Sequence, residues 1–254
     1  MNDQPLLTER RDRVLLITLN RPDARNAVNL AMAEAMNAAL DELDSTDELS
    51  VGVIAGEGKG FSSGMDLKAF ATGERPWADR GFAGIVQKPA EKPLIAAIEG
   101  FAVAGGLEIA LACDLIVAAE GAKLGIPETK RGLVAAGGAL RQLPRRLPAA
   151  IAMELALTGE TITVERGAEL GLVNRVAEPG KALDVALELA AEVAANAPLA
   201  TAASKSILNK QGSWDDETFW AKQGEIVAPV FTSEDAIEGA TAFSEKRAPN
   251  WKGR

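Results

Sequence analysis

Four short apolar runs punctuate the first half of the chain: Val14–Leu19 (VLLITL), Val51–Ala55 (VGVIA), Leu94–Ile98 (LIAAI) and Leu115–Ala118 (LIVA). Each is too short for a helix and is bounded by Gly, Pro, Asn or Asp, which predicts buried strands. Between the first two, apolar residues recur at helical spacing from Leu30 to Leu43, with Asn29 as the expected N-cap. A glycine-rich turn, Gly56–Gly60, follows the second run, and a new element starts at Met65-Asp66-Leu67-Lys68. Residues 72–92 mix Gly, Pro and charge without a period, which predicts a mobile loop with at most one short helix. After the third run comes a turn of glycine and small residues, Gly100–Gly106. A helix is expected from near Gly105 to residue 113.

From about residue 137 the pattern turns helical. Helices are expected over Gly137–Arg146, Ala149–Leu157, Thr163–Leu170, Lys181–Asn196 and Pro198–Lys210, then over 215–228 and 233–246. One last short strand is expected at Leu172–Val176. Strand–turn–helix units followed by helices alone predict an α/β domain with an all-helical C-terminal region.

Composition narrows the chemistry. The chain has 254 residues with a net charge of −9, which disfavours nucleic acid, because no basic footprint is available to release counterions. A small anionic ligand held by a few lysines remains compatible. No apolar run approaches the ~20 residues of a membrane span, and the first residues lack the apolar core of a signal peptide. A cytoplasmic protein with no membrane partner is therefore expected.

There is no histidine and no tyrosine, and Cys113 is the sole cysteine. Ser-His-Asp and Cys-His mechanisms are excluded, as are His-ligated or Cys-rich metal sites, so no metal is expected. Cys113 lies in the apolar run LEIALACD and reads as a buried structural thiol. Acid–base work must come from Asp, Glu, Lys or backbone groups.

Gly60-Phe61-Ser62-Ser63-Gly64 matches the G-x-S-x-G pattern of a nucleophile elbow and follows a strand. An elbow needs a base, and the chain has no histidine to supply it. The small residues instead suit close approach of backbone N–H groups to a ligand. Gly105 and Gly106 open a helix whose first N–H groups have no acceptor of their own, so they can stabilise a developing negative charge. A tight turn in which glycine is merely permissive fits the same residues. Glu108 lies about one turn into that helix, between Leu107 and Ile109. It is either a partly buried carboxyl with a raised pKa or an ordinary first-turn residue facing the helix dipole. Glu128 follows Pro127 and is either its partner or an exposed residue at a helix start. Convergence of the two would allow one to act as base and the other as acid.

Five stretches carry a resemblance: LITLNRPDARNAVN (16–29), KGFSSGMDLKAF (59–70), residues 92–134, ELALTGETI (154–162) and EDAIEGATAFSEKR (234–247). By their order and spacing the chain resembles the crotonase (enoyl-CoA hydratase/isomerase) superfamily over nearly its whole length. FSSGMDLKA and the C-terminal stretch resemble the carnitinyl-CoA dehydratase branch most.

The resemblance implies a superhelix of strand–strand–helix turns over residues 1–195, binding CoA and acyl groups, and a helical trimerisation region over 196–254. It implies an acyl-CoA thioester substrate, no separate cofactor, and a homotrimer or a hexamer of two trimers. Hydration or dehydration of a 2-enoyl-CoA would use Glu108 and Glu128, with an oxyanion hole formed by the backbone N–H groups of Met65 and Gly105. CoA contacts would come from Ala24, Ser63, Asp66, Leu67 and Lys68, with Phe243 and Lys246 from the C-terminal region. Double-bond isomerisation and a non-catalytic acyl-CoA-binding subunit are the alternatives. One departure stands out: Gly132-Leu-Val-Ala-Ala-Gly-Gly138 lacks the proline of the family's usual Pro-Gly-x-Gly-Gly segment, in a loop that lines the family's acyl pocket.

Overall fold

The computed structural model describes residues 4–254. Its main sheet has six strands: β1 (Leu6–Arg11), β2 (Val14–Leu19), β3 (Val51–Gly56), β6 (Leu94–Ile98), β8 (Leu115–Ala119) and β11 (Arg175–Ala177), in that spatial order. β1 is antiparallel to β2, and every other pairing is parallel. All four predicted apolar runs are central strands, buried on both faces, as parallel strands with covered faces require. The period of two divides their side chains between two cores. Leu15, Ile17, Ile54, Ala96 and Ile116 pack on the side of α1 (Leu30–Ser45). Leu16, Val53, Ile95 and Val117 pack against α7 (Ala182–Ala194).

The repeating unit is a long strand, a short strand and a helix. The third apolar run gives β6, then β7 (Phe101–Val103), then α3 (Gly105–Ala112). The fourth gives β8, then β9 (Lys123–Gly125), then a 3-10 helix at Pro127–Arg131. The short strands stack into a second sheet, with β9 between β7 and β10 (Thr161–Thr163). Single bridges extend this stack to earlier turns: Ser62 to Ala102, and Val28 to Met65. This ladder brings residues far apart in sequence onto one wall.

Several boundaries differ from expectation. β7 lies inside the stretch expected to be a turn, because hydrogen bonds to β9 rather than apolar periodicity define it. β1, β9 and β10 have no counterpart in the sequence reading. β1 is largely exposed, and β9 and β10 are too short to show a period. The helix expected from Gly137 begins two residues later, as α4 (Ala139–Arg146), and carries Pro144 within it. The expected strand at 172–176 forms only at Arg175–Ala177. The element expected at Met65 is α2 (Leu67–Ala71), capped by the Asp66 carboxylate, which accepts from Lys68 and Ala69 N–H.

Residues 72–92, expected to be a mobile loop, contain a small hairpin of β4 (Trp77–Ala78) and β5 (Gly81–Phe82) instead of a helix. Buried Arg80 clamps it to α1. Its guanidinium donates to Asp41 at 2.7 and 2.9 Å, to Asp44 at 2.9 Å and to the Lys88 carbonyl at 3.1 Å. Asp44 also accepts from the Glu91 and Lys92 N–H groups, fixing the loop's return. Asp41 is 59% exposed, so removing the cation leaves only Asp44 poorly solvated and without its charge partner. Arg80→Met is expected to lower stability by about 2 kcal/mol, seen as a fall in melting temperature of roughly 4–8 °C. An unchanged melting temperature would show that the clamp is dispensable.

The C-terminal region comprises α8 (Pro198–Lys210), α9 (Asp216–Phe231) and α10 (Glu234–Glu245). α8 is tied to the main sheet by Lys205, which donates to Asp114 at 2.7 Å and to the Lys92 carbonyl at 2.8 Å. α9 has no buried residue, and Trp220, Phe231, Ile237 and Phe243 are exposed. Among the described residues, no helix is long and apolar enough to cross a membrane.

Candidate active site

A cavity of about 710 Å³ opens where the second turn of the superhelix meets the third. One wall is the run Ser63 to Lys68, another is Val103–Gly105 with Glu108, and a third is Pro127–Glu128 with Arg131, Leu133, Val134, Ala136 and Gly137. Trp77 and Phe82 of the hairpin line it as well.

The two backbone donors sit together because the turns approach closely. A Cβ on Gly64, whose φ is +89°, would lie 2.6 Å from the Gly105 nitrogen. A Cβ on Gly106 would overlap the Ser62 carbonyl oxygen, so α3 can pack there only with glycine at this position. Ala104, just before α3, holds a positive φ of 53°, a strained conformation for a residue with a side chain. Among the described residues, neither Met65 nor Gly105 N–H has an acceptor, and both residues line the cavity. Paired free donors of this kind suit an oxygen that gains negative charge.

Glu108 is buried in α3. Its carboxylate accepts from the Ala139 N–H at 3.2 Å, at the start of α4. Burial pushes its pKa up to about 7; the Glu128 charge adds to this, and the backbone N–H groups of Ala139 and Gly137 oppose it. Glu128 lies in the first turn of the 3-10 helix after Pro127. Burial raises its pKa too, against its own N–H and the charge of Arg131. One Glu128 oxygen, Oε2, is buried with no hydrogen-bond partner among the described residues. The structure thus buries Glu108, leaves Glu128 partly buried, and puts both on the walls of one cavity. With its pKa at about 7, Glu108 is present in both protonated and ionised forms near neutrality beside a second carboxyl whose pKa is also raised, so the site has groups that can give one proton and take another.

The G-x-S-x-G serine is structural. Ser62 is fully buried, donates to the Asn26 carbonyl at 2.8 Å and accepts from Gly64 N–H at 3.1 Å. Cys113 is buried, and its thiol is pushed up to about 12, which leaves it an inert core residue.

The remaining expected residues divide. Ala24, Ser63, Asp66, Leu67 and Lys68 all line the cavity. The Asp66 carboxylate is occupied by the α2 cap and by an ion pair with Arg21 at 3.0 Å. Phe243 and Lys246 do not line it: they lie at the end of α10, with Phe243 88% exposed. Sequence reasoning missed Arg21, Arg25 and Arg131, which line the cavity, and the backbone of Gly137 and Ala139, which holds Glu108. It also missed Trp77 and Phe82, whose rings meet edge-on at 5.2 Å. The G137-G138 pair ahead of α4 was the available signal for the Glu108 contact. Among the described residues there is no group of three or more metal-ligating side chains.

The family described as enoyl-CoA hydratase/isomerase matches residues 9–254. A carnitinyl-CoA dehydratase of Salmonella typhi is 43% identical over 250 residues, 95% of each chain. The solved structure of an enoyl-CoA hydratase from Mycobacterium tuberculosis H37Rv is 54% identical, with a TM-score of 0.97 over 99% of this chain and 100% of that one. A carnitinyl-CoA hydratase from Mycobacterium avium is 43% identical, with a TM-score of 0.80 over the whole of both chains. With the family model spanning the main sheet, the cavity and the C-terminal helices alike, the chain belongs to the enoyl-CoA hydratase/isomerase family.

Proposed function

We propose that this protein is a hydro-lyase that adds water to a 2-enoyl-CoA thioester, or removes it from the 3-hydroxyacyl-CoA. The observation that carries this is one cavity lined by a buried carboxyl with a pKa of about 7, by a second, partly buried carboxyl, and by two free backbone donors. The thioester carbonyl oxygen accepts from the Met65 and Gly105 N–H groups. Glu108 and Glu128 hold the water. As the water oxygen bonds to Cβ, one carboxylate takes its proton, and the electron pair of the double bond moves onto the carbonyl oxygen as an enolate. The other carboxyl then gives its proton to Cα and the enolate collapses. Preorganised donors stabilise that oxyanion by about 3 kcal/mol each.

The charge around the cavity supports an anionic ligand. Arg21, Arg25, Lys68 and Arg131 line it although the chain as a whole carries −9. Ala24, Ser63, Leu67 and Lys68 form the CoA end, and no further cofactor takes part. Residues 1–195 form the catalytic unit and 196–254 the trimerisation region, in a homotrimer or a pair of trimers. The bare α9 and the exposed Trp220 and Phe231 support burial against further copies. Phe243 and Lys246 reach CoA from a neighbouring copy. The cytoplasm is the expected location.

The test follows the conjugated enoyl-thioester absorbance. Loss of absorbance from 2-butenoyl-CoA is the expected result. Gain of absorbance from a 3-enoyl-CoA with no such loss would make the protein an isomerase. Binding without turnover of any enoyl-CoA would make it a carrier. Sedimentation should show a trimer or hexamer, and a monomer would overturn that assignment.

A further inference from the structure

An aromatic ring, Phe82, lines the cavity beside the two groups that would fix the reacting carbons. A Cβ on Gly105 would lie 2.5 Å from Phe82 Cζ, and one on Gly137 would lie 2.9 Å from Phe82 Cδ1. The same Gly137 Cβ would overlap the Glu108 carboxylate. The Phe82 ring therefore spans from the free Gly105 N–H to the backbone that holds Glu108, and it fills the space a side chain at either glycine would take. Trp77 continues this wall toward solvent.

The backbone that carries the ring is anchored on both sides. Trp77 and Phe82 are paired across the β4–β5 hairpin, and Arg80 ties that hairpin to α1. Two residues on, a Cβ on Gly84 would overlap the Ala33 carbonyl oxygen, so the backbone after Phe82 lies directly on α1. Opposite, the loop that departs from the family's proline-containing pattern supplies Leu133 and the exposed Val134.

We infer that Phe82 is the stop that sets acyl-chain length, making this a site for short, uncharged acyl groups. The inference rests on the proposed reading that Gly105 holds the thioester carbonyl and the glutamates flank Cα and Cβ. Carbons beyond Cβ then meet the Phe82 ring within a few bonds. A longer chain must displace the ring or leave toward Leu133 and Val134. Among the described residues, no carboxylate other than Asp66, Glu108 and Glu128 lines the cavity. Asp66 is paired, and Arg131 lies beside Glu128. A quaternary ammonium at the chain end would therefore meet no carboxylate beyond the two assigned to the reaction, with the Arg131 charge close by.

Calorimetric binding of saturated acyl-CoAs, which cannot react, reads the pocket independently of the chemistry. For the wild type, affinity should rise little from butanoyl- to octanoyl-CoA, and a butanoyl-CoA bearing a C4 trimethylammonium should bind more weakly than its uncharged parent. In Phe82→Ala each extra methylene that gains room should tighten binding about fourfold. The octanoyl-to-butanoyl affinity ratio should thus rise at least tenfold. Phe82→Leu, a milder change that keeps the core filled, should move the ratio the same way by a smaller factor. An unchanged ratio in both variants overturns the inference, as does a wild type that already gains fourfold per methylene up to octanoyl. Tighter binding of the trimethylammonium ligand overturns the charge part. If the ratio shifts as expected while 2-butenoyl-CoA is not hydrated, the pocket assignment stands and the proposed reaction falls. If no acyl-CoA binds, both fall.

Discussion

Glu108→Gln should lower 2-butenoyl-CoA hydration by about a thousandfold while making the protein more stable at pH 8. The two effects share one cause. The carboxyl is buried, and its pKa lies at about 7 instead of the ordinary 4.5. Between those values the folded state holds a proton that the unfolded chain has released, so stability falls as pH rises from about 4.5 to about 7. Above that window the ionised, buried group destabilises the fold by about 3 kcal/mol. Glutamine fills the same volume, can still accept from the Ala139 N–H, and carries no charge. Urea unfolding at pH 5 and pH 8 should therefore show a wild type that loses stability with pH and a variant that loses much less. Stability that falls equally in both proteins would remove the assigned pKa. Hydration within tenfold of wild type would remove the catalytic role. A residue whose replacement stabilises the fold and abolishes activity is held in place by function.

The second large effect concerns the donors. Gly64→Ala is expected to reduce kcat by roughly a hundred- to a thousandfold with little change in KM, because an oxyanion donor acts mainly in the transition state. The added Cβ would stand 2.6 Å from the Gly105 nitrogen and 2.9 Å from Ala104 Cβ, and the position requires a φ of +89°. The backbone of Met65 or Gly105 must shift, and both N–H groups are then misaimed. The carboxyls are not touched, so the pH dependence of what activity remains should match that of the wild type. That separates misaimed donors from general unfolding, which a thermal scan would also show. A kcat within tenfold of wild type would mean that these donors do not carry the reaction.

Much of the fold could be read from apolar runs because the central strands are covered on both faces, so VLLITL, VGVIA, LIAAI and LIVA had no alternative to burial. α1 was legible from its period, and its cap is real: the Asn29 side chain accepts from Met32 N–H at 3.1 Å. The short strands β7, β9 and β10 were not legible, since only pairing between turns creates them. The hairpin at Trp77–Phe82 was hidden because its anchor is an ion pair between residues about forty positions apart, Arg80 with Asp41 and Asp44. For the site, glycine at 105 and the apolar flanks of Glu108 allowed free donors and a buried carboxyl but equally a permissive turn and an ordinary first-turn residue, which the structure distinguishes for Glu108 by burying it. The missing histidine removed the serine lead before any coordinates were needed, and the buried Ser62 agrees.

By itself, then, the sequence determined the chemical repertoire: no histidine, a glycine-opened helix, and two glutamates, of which Glu108 has apolar neighbours on both sides. These are local properties, carried by composition and by residues within one turn of each other. Only the tertiary structure decided which groups meet. Stacking the short strands between turns sets Met65 beside Gly105. Packing the start of α4 on α3 places Ala139 N–H on Glu108, and clamping a hairpin to α1 puts Phe82 against Gly105 and Gly137. Each of these contacts depends on two segments packing against each other, and neither segment alone carries a pattern that records the distance between them.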